Sequence, residues 1–304
     1  MKVIQLDEAE TRPRHVAVGE FDGVHLGHRE VIRGADTVLT FEPHPRAVVA
    51  RDGAPKLLTS LEVKADLIER LGVEELVLIP FDQAFADQSA EAFIDGILVG
   101  RLEARKVSIG ENFRFGAKAM GDVGLLQAQS AFETRVVPLV EVDSEIVSSS
   151  HIRGLVVAGD VKQANRFLGA HYELRGRVVH GDAVGRELGY PTANLIPDSA
   201  LCYPGHGVYA CRAAVRGSDD WHWYTAATNV GVRPTFVTGR GVLVEAHLLD
   251  FDADLYGSEL RLTFLERLRG EKRFDTVDEL VEQMHRDVED ARTLGATATL
   301  RRRV

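Results

Sequence analysis

The hydrophobic pattern changes character near residue 170, and a chain that changes pattern in this way has to build two unlike parts. Up to about residue 150, short β-rich runs alternate with helical stretches, and residues 15–18, 38–41, 76–80, 106–109 and 135–140 read as strands. The clearest helix between them starts at Thr59, where Thr59 and Glu62 form a capping-box pair. Leu61, Ala65, Ile68 and Leu71 follow at helical spacing before Gly72 stops it. Alternating strands and helices imply an α/β fold, a parallel sheet with helices on both faces. Two helical segments, 150–158 and 161–168, then lead into a strand-rich region. Its Gly and Pro turns, among them Gly181, Gly185, Gly189, Pro197 and Pro204, have the spacing of a small barrel. The carboxyl end reverts to a helix with Val277, Leu280, Val281, Met284, Val288, Ala291 and Leu294 on one stripe, expected to face the core and given no ligand role. A length of 304 residues suits two domains, placed at 1–168 and 169–304.

Composition narrows the class. No apolar run approaches the length of a membrane span, and residues 1–14 lack the apolar stretch of a signal peptide, so a cytoplasmic protein without membrane contact is expected. A net charge of −10 argues against nucleic acid as a partner, because phosphate-backbone affinity comes from clustered Lys and Arg. Small-molecule substrates and a monomer or weak homo-oligomer are expected instead. Cys202 and Cys211 have no metal-like spacing and read as small residues packed near strands. There is no internal repeat, and residues 301–303 read as a frayed tail.

In the first half, GEFDGVHLGH, residues 19–28, places His25 and His28 around Gly27 directly after an apolar strand. An isolated H-x-G-H more often marks surface or capping histidines. At the end of the first expected strand, where an open α/β sheet binds its ligand, nucleotide chemistry is favoured. A Gly-rich turn opening a helix offers free N–H groups, Gly27 lets the chain approach a phosphate, and both histidines can donate to one. FEPHP, residues 41–45, is a rigid turn whose Pro43 and Pro45 rings could wall a flat aromatic ligand. GENFRFG, residues 110–116, offers Asn112 as a neutral donor and acceptor beside Phe113 and Phe115. VSSSHIR, residues 147–153, puts Ser149 and Ser150 at a helix opening with Arg153 one turn on, which suits phosphate oxygens.

In the second half, residues 176–195 form a loop punctuated by Gly176, Gly181 and Gly189 that runs into Pro-Thr-Ala-Asn. Thr192 and Asn194 share one side of an extended strand, and their oxygens suit Mg²⁺, a hard cation. Downstream, alternation puts Glu245 and His247 on the face opposite Val244, Ala246 and Leu248. If that face lines a pocket, Glu245 can take the proton of an attacking hydroxyl; on periodicity alone it is a solvated strand residue. RGEKRF, residues 269–274, is a charge run whose usual explanation is exposure.

Taken in order, these segments, with NVGVRPTF (229–236) and VEAHLLDFDADLYG (244–257), resemble the bacterial bifunctional riboflavin kinase/FAD synthetase family from about residue 15 to 291. The resemblance implies a Rossmann-like nucleotidyltransferase domain that joins AMP from ATP to FMN, giving FAD, and a Greek-key β-barrel riboflavin kinase domain with a C-terminal helix. By the same resemblance, ATP is co-substrate, both reactions need Mg²⁺, and His25, His28 and Arg153 act on the triphosphate. Gly19, Phe21, Asp22, Gly23, Gly27, Pro43, Pro45, Asn112, Phe115, Ser149 and Ser150 would bind ATP and FMN. In the kinase, Glu245 would be the base on the ribityl 5′-hydroxyl. Thr192 and Asn194 would bind Mg²⁺ and ATP phosphate, and Gly176, Gly181, Gly189, Arg269 and Phe274 would surround nucleotide and flavin.

Three features depart from the family pattern. Position 20 is Glu where Asn is more frequent, the segment from 28 to 38 is shorter, and Glu145 stands where some members have Arg. A kinase whose first domain only binds nucleotide, a non-catalytic flavin-binding module, and adenylyl transfer to another phosphate are the alternatives.

Overall fold

The computed structural model describes residues 1–50, 53–181, 185, 188–217, 220–233 and 241–297, so Pro234 to Phe236 of the NVGVRPTF segment and the expected tail at 301–303 lie outside the described residues. The chain packs as two compact units, Met1–Ser149 and Ser150–Arg303. The division therefore precedes the two helices that composition had grouped with the first half.

The first unit is built on β1 (Lys2–Gln5), β2 (Arg14–Val18), β3 (Thr37–Glu42), β4 (Glu75–Pro80), β5 (Ala104–Gly110) and β6 (Glu133–Val137). All pairs are parallel, in the order β1-β4-β3-β2-β5-β6. Each central strand contributes to two cores. Val16, Val18, Leu39, Phe41, Val77 and Ile79 pack on one face, while Ala17, Val38, Leu76 and Leu78 pack on the other. A strand buried on both sides reads as a continuous apolar run, which is why β3 and β4 were legible. Each such Val, Leu or Ile contributes about 1.5–3 kcal/mol by leaving water.

Three expectations need correction here. β1 was missed, so the strand before the histidines is the second, not the first; β1 is an edge strand whose Lys2, Val3 and Gln5 are exposed and carry little apolar signal. β6 ends at Val137 rather than residue 140, because Pro138 brings no N–H to the ladder. The helix Leu61–Glu69 is capped by Ser60, whose hydroxyl accepts the Val63 N–H at 3.3 Å. Thr59 has been diverted to another task described below.

In the second unit the helix Val161–Leu168 turns its buried Val161, Ala164, Phe167 and Leu168 inward. Asn165 ties it to the barrel, donating to the Phe264 carbonyl at 2.8 Å and accepting from the Tyr172 N–H at 2.7 Å. The strands are β9 (Tyr172–Val179), β10 (Ala193–Leu195), β11 (Gly207–Arg216), β12 (Trp221–Arg233), β13 (Gly241–Leu248) and β14 (Glu259–Arg269), after a small hairpin of β7 (Glu141–Val142) and β8 (Glu145–Ile146) in the first unit. They close into an antiparallel barrel in the order β10-β13-β12-β11-β14-β9. β11, β12 and β13 follow as hairpins and β14 returns beside β11, which is a Greek key. Val244, Ala246, Leu260, Leu262 and Phe264 are fully buried in it. Cys202 and Cys211 are both buried, as packing residues should be. The C-terminal helix runs Val277–Thr297.

Candidate functional site

In the first unit, β3 and β4 extend the sheet on one side of β2 while β5 and β6 extend it on the other. The ends of β2 and β5 therefore flank the point where the winding reverses, the usual place for a ligand in such a sheet. A cleft of about 870 Å³ opens there, lined among others by Gly19, Glu20, His25, His28, Asn112 and Phe115. The loop after β2 needs unusual backbone angles, with φ of 51° at Phe21, 86° at Gly23 and 42° at Val24. Asp22 holds it in that shape. The buried carboxylate accepts from the Leu58 N–H at 2.8 Å and from the Thr59 N–H at 3.2 Å. The Thr59 hydroxyl accepts the Gly23 N–H at 3.1 Å, and Ser149 donates to the Asp22 carbonyl at 2.9 Å. This is why Thr59 does not cap its own helix. Gly19 spares the loop a tight contact, since a Cβ there would lie 3.0 Å from the Phe21 ring.

His25 caps the helix Leu26–Ile32, its Nδ1 accepting the His28 N–H at 3.2 Å. An accepting Nδ1 leaves the ring proton on Nε2. Burial pushes the His25 pKa down to about 4, so the ring is a neutral donor at pH 7. His28 stacks on it with ring centroids 3.5 Å apart, and Gly27 leaves room, a Cβ there lying 3.3 Å from the His25 ring. Burial, then the neighbouring charges of His25 and Lys64, hold His28 well below the usual imidazole range. Among the described residues nothing in the protein bonds its shielded Nδ1. Both histidines thus line the cleft, and His25 caps the helix as well.

Glu20, the departure from the family pattern, is 2.8 Å from Nε2 of His44. His44 Nδ1 in turn accepts the Arg46 N–H at 3.1 Å and caps the helix Pro45–Val49. The extra carboxylate is thereby turned toward a histidine of the FEPHP turn. Pro45 lines the cleft, whereas Pro43 is exposed after a cis Glu42–Pro43 bond. Phe115 belongs to the core, packing on Phe93 at 5.4 Å, and presents Phe113 stacked upon it at 5.6 Å. Ser150 and Arg153 fall in the second unit, where the guanidinium lies 3.4 Å from the Ser150 hydroxyl.

The second unit holds a cleft of about 670 Å³ on its β13 wall. Antiparallel register sets Asn194 opposite Glu245 and Glu245 opposite Asn229. Directly opposed residues share a face, so one amide, one carboxylate and a second amide form a row across three strands. Glu245 and His247 are half-buried and alternate with buried Val244, Ala246 and Leu248. Glu245 is therefore a wall residue of the cleft, not a solvated one. The Asn229 amide donates to Glu245 Oε2 at 3.3 Å. Asn194 is buried, and its Oδ1 has no partner among the described residues. Gly181 makes room for it, because a Cβ there would lie 2.3 Å from the Asn194 amide. A Cβ at Gly176 would lie 3.3 Å from the Leu195 side chain, and Gly189 has φ of +87° in the turn before Thr192, which lines the cleft.

The opposite wall comes from the RGEKRF segment and the C-terminal helix. Arg269 and Phe274 are half-buried while positions 270–273 are exposed. Arg269 grips buried Asp287, with Nε 2.9 and 3.1 Å from the two carboxylate oxygens and Nη2 2.7 Å from Oδ2. The apolar stripe of this helix is not simply a core face. Ala291 is buried, but Leu280, Met284 and Val288 line the cleft and Val277 is 61% exposed. Asp287, Asn229 and this stripe are what sequence reasoning missed.

Two halves of the chain match two families, FAD synthetase over residues 7–151 and riboflavin kinase over residues 168–294. The bifunctional riboflavin kinase/FMN adenylyltransferase of Bacillus subtilis (strain 168) is 37% identical, over 96% of this chain and 97% of that protein. The chain belongs to this family. Its members in Haemophilus influenzae and Escherichia coli (strain K12) are 36% and 35% identical, each over 91% of this chain. A crystal structure from Streptococcus pneumoniae, of a protein named as a macrolide-efflux protein, matches with a TM-score of 0.86 at 32% identity, over 95% of this chain and 98% of that one. As a bifunctional riboflavin kinase/FMN adenylyltransferase, the chain phosphorylates riboflavin to FMN with ATP and joins FMN to AMP from a second ATP, giving FAD and pyrophosphate. Among the described residues no helix is long and apolar enough to cross a membrane.

Proposed function

We propose the following division of labour among the residues, with the functional boundary kept at 1–168 and 169–304. In the kinase, Glu245 takes the proton from the ribityl 5′-hydroxyl as it attacks the γ-phosphate, and Asn229 holds the carboxylate in place. The observation that carries this is the row of Asn194, Glu245 and Asn229 across three strands, with Glu245 and Asn229 lining the cleft. A neutral hydroxyl needs a base, which explains a carboxylate here. Thr192 and Asn194 hold Mg²⁺ and the ATP phosphates; the buried, unpartnered Oδ1 of Asn194 has the chemistry of a hard-cation ligand. When bound, Mg²⁺ neutralises charge on the phosphate oxygens. Arg269, Phe274 and the glycines at 176, 181 and 189 shape the flavin and nucleotide sides.

In the adenylyltransferase, the FMN phosphate is already ionised near pH 7 and attacks the α-phosphorus without a base. His25, through Nε2–H, and His28 donate to the triphosphate as charge moves onto departing pyrophosphate, with Ser149 on a phosphate oxygen. Asn112, Phe115 and Pro45 border ATP and flavin, and Gly19, Phe21, Asp22, Gly23 and Gly27 keep the loop in shape. Pro43 completes the turn. We infer a cytoplasmic monomer or weak homo-oligomer that uses Mg²⁺ in both reactions and takes small molecules, not nucleic acid.

The test incubates purified protein with riboflavin, ATP and Mg²⁺ and separates riboflavin, FMN and FAD over time. Glu245→Ala is expected to abolish FMN formation while supplied FMN still becomes FAD. Equal loss of both activities in a folded variant would refute the assignment.

A further inference from the structure

His247 stands two residues from Glu245 on the same face of β13 and lines the same cleft, yet nothing above gives it work. Its Nδ1 is 2.8 Å from the carbonyl oxygen of Pro191. A carbonyl can only accept, so Nδ1 carries the proton and the ring donates. That carbonyl belongs to the planar peptide joining Pro191 to Thr192, so holding it fixes the orientation from which the Thr192 side chain departs. The turn has two other supports. The Tyr190 N–H donates to the Gly185 carbonyl at 2.7 Å, and the Tyr190 ring meets the His247 ring edge-on with centroids 5.4 Å apart. Pro191 supplies no N–H of its own and its ring is exposed, so its carbonyl is where the wall can grip it.

We propose that His247 is a positioning residue of the kinase, aiming Thr192 at the phosphate side of the cleft through the Pro191 carbonyl. This rests on the role given to Thr192 above. His247 touches no reacting atom, and its effect belongs to Mg·ATP handling rather than riboflavin binding. Side-chain geometry gives a sharp discrimination, because the amide nitrogen of Asn matches Nδ1 of His in reach whereas that of Gln matches Nε2.

The full chain is assayed as the sum of FMN and FAD formed, with Mg·ATP varied at saturating riboflavin and the reverse. His247→Gln is expected to lower kcat/KM for Mg·ATP about tenfold, the worth of one lost hydrogen bond, with the riboflavin KM within about twofold of the parent. His247→Asn is expected to recover most of that loss. In the parent labelled with ¹⁵N-histidine, the His247 resonances, identified by their disappearance in His247→Gln, are expected to show Nδ1 protonated. Thr192→Ala is run alongside. If it leaves the Mg·ATP dependence unchanged, the role of Thr192 falls and this inference with it. If Thr192→Ala is impaired but His247→Gln is not, or if His247→Asn is as impaired as His247→Gln, the inference alone is overturned.

Discussion

Asp287→Ala removes a carboxylate that is 5% exposed and leaves the Arg269 guanidinium, 22% exposed as a side chain, without its counter-charge. Four contacts go with it, three from Arg269 and the Gln283 amide at 3.0 Å. Breaking a fully buried pair from one side costs about 3–5 kcal/mol, and solvent at Arg269 screens part of that, so about 2–4 kcal/mol is expected here. The assay is urea unfolding followed by tryptophan fluorescence. Both tryptophans of the chain, Trp221 and Trp223, lie on β12, so the signal reports the second unit. Replacing both partners with apolar residues, Arg269→Met with Asp287→Leu, removes the stranded charge and is expected to cost less than Asp287→Ala alone. Since Arg269 and Phe274 line the cleft, the riboflavin KM of Asp287→Ala should rise while FMN adenylylation persists. Strictly additive losses in the double variant, or an unchanged riboflavin KM in the single one, would refute this account of the pair.

Glu245→Gln keeps the Asn229 contact but loses the base, and FMN formation is expected to fall by about 10²–10⁴ with little change in stability, read by product chromatography and thermal melting. Unfolded histidine binds a proton near pH 6.5 that folded His25 refuses until about 4. The unfolded state thus holds more protons in that window, and stability is full above pH 6.5 and lost as pH falls toward 4, by about 3 kcal/mol. Hydrogen exchange of residues 16–18 against pH should show that slope, and His25→Asn, which still caps, should reduce it and leave the share that buried His28 contributes. Ser60→Ala is expected to cost about 1 kcal/mol of stability and leave FAD synthesis intact, whereas Thr59→Val, which takes the acceptor from the Gly23 N–H and one hydroxyl donor from Asp22, should impair both. Denaturation midpoints beside FAD yields compare the two.

Much of this was legible from local pattern. Strands buried on both faces announced the parallel sheet, and the alternation around Glu245 gave its face. What alternation could not show was that the face is roofed, because the roof comes from residues 269–288, whose charges read as solvated and whose stripe read as core. The Thr59 cap failed for a related reason. Its hydroxyl satisfies the local helix signal, but Asp22, far away in sequence, claims it. Asp287 carries no sequence mark that separates it from its acidic neighbours on the same helix.

The kinase row also makes catalysis a gauge of how the strands have been aligned. Asn194, Glu245 and Asn229 come from β10, β13 and β12, and they stand in one row only while each strand keeps its present partner positions. If β13 paired one residue out of step, Val244 or Ala246 would stand between the two amides and Glu245 would point into the barrel. FMN formation by a refolded or redesigned chain therefore counts the fraction of molecules whose three strands are in step, a quantity that compactness and circular dichroism pass over.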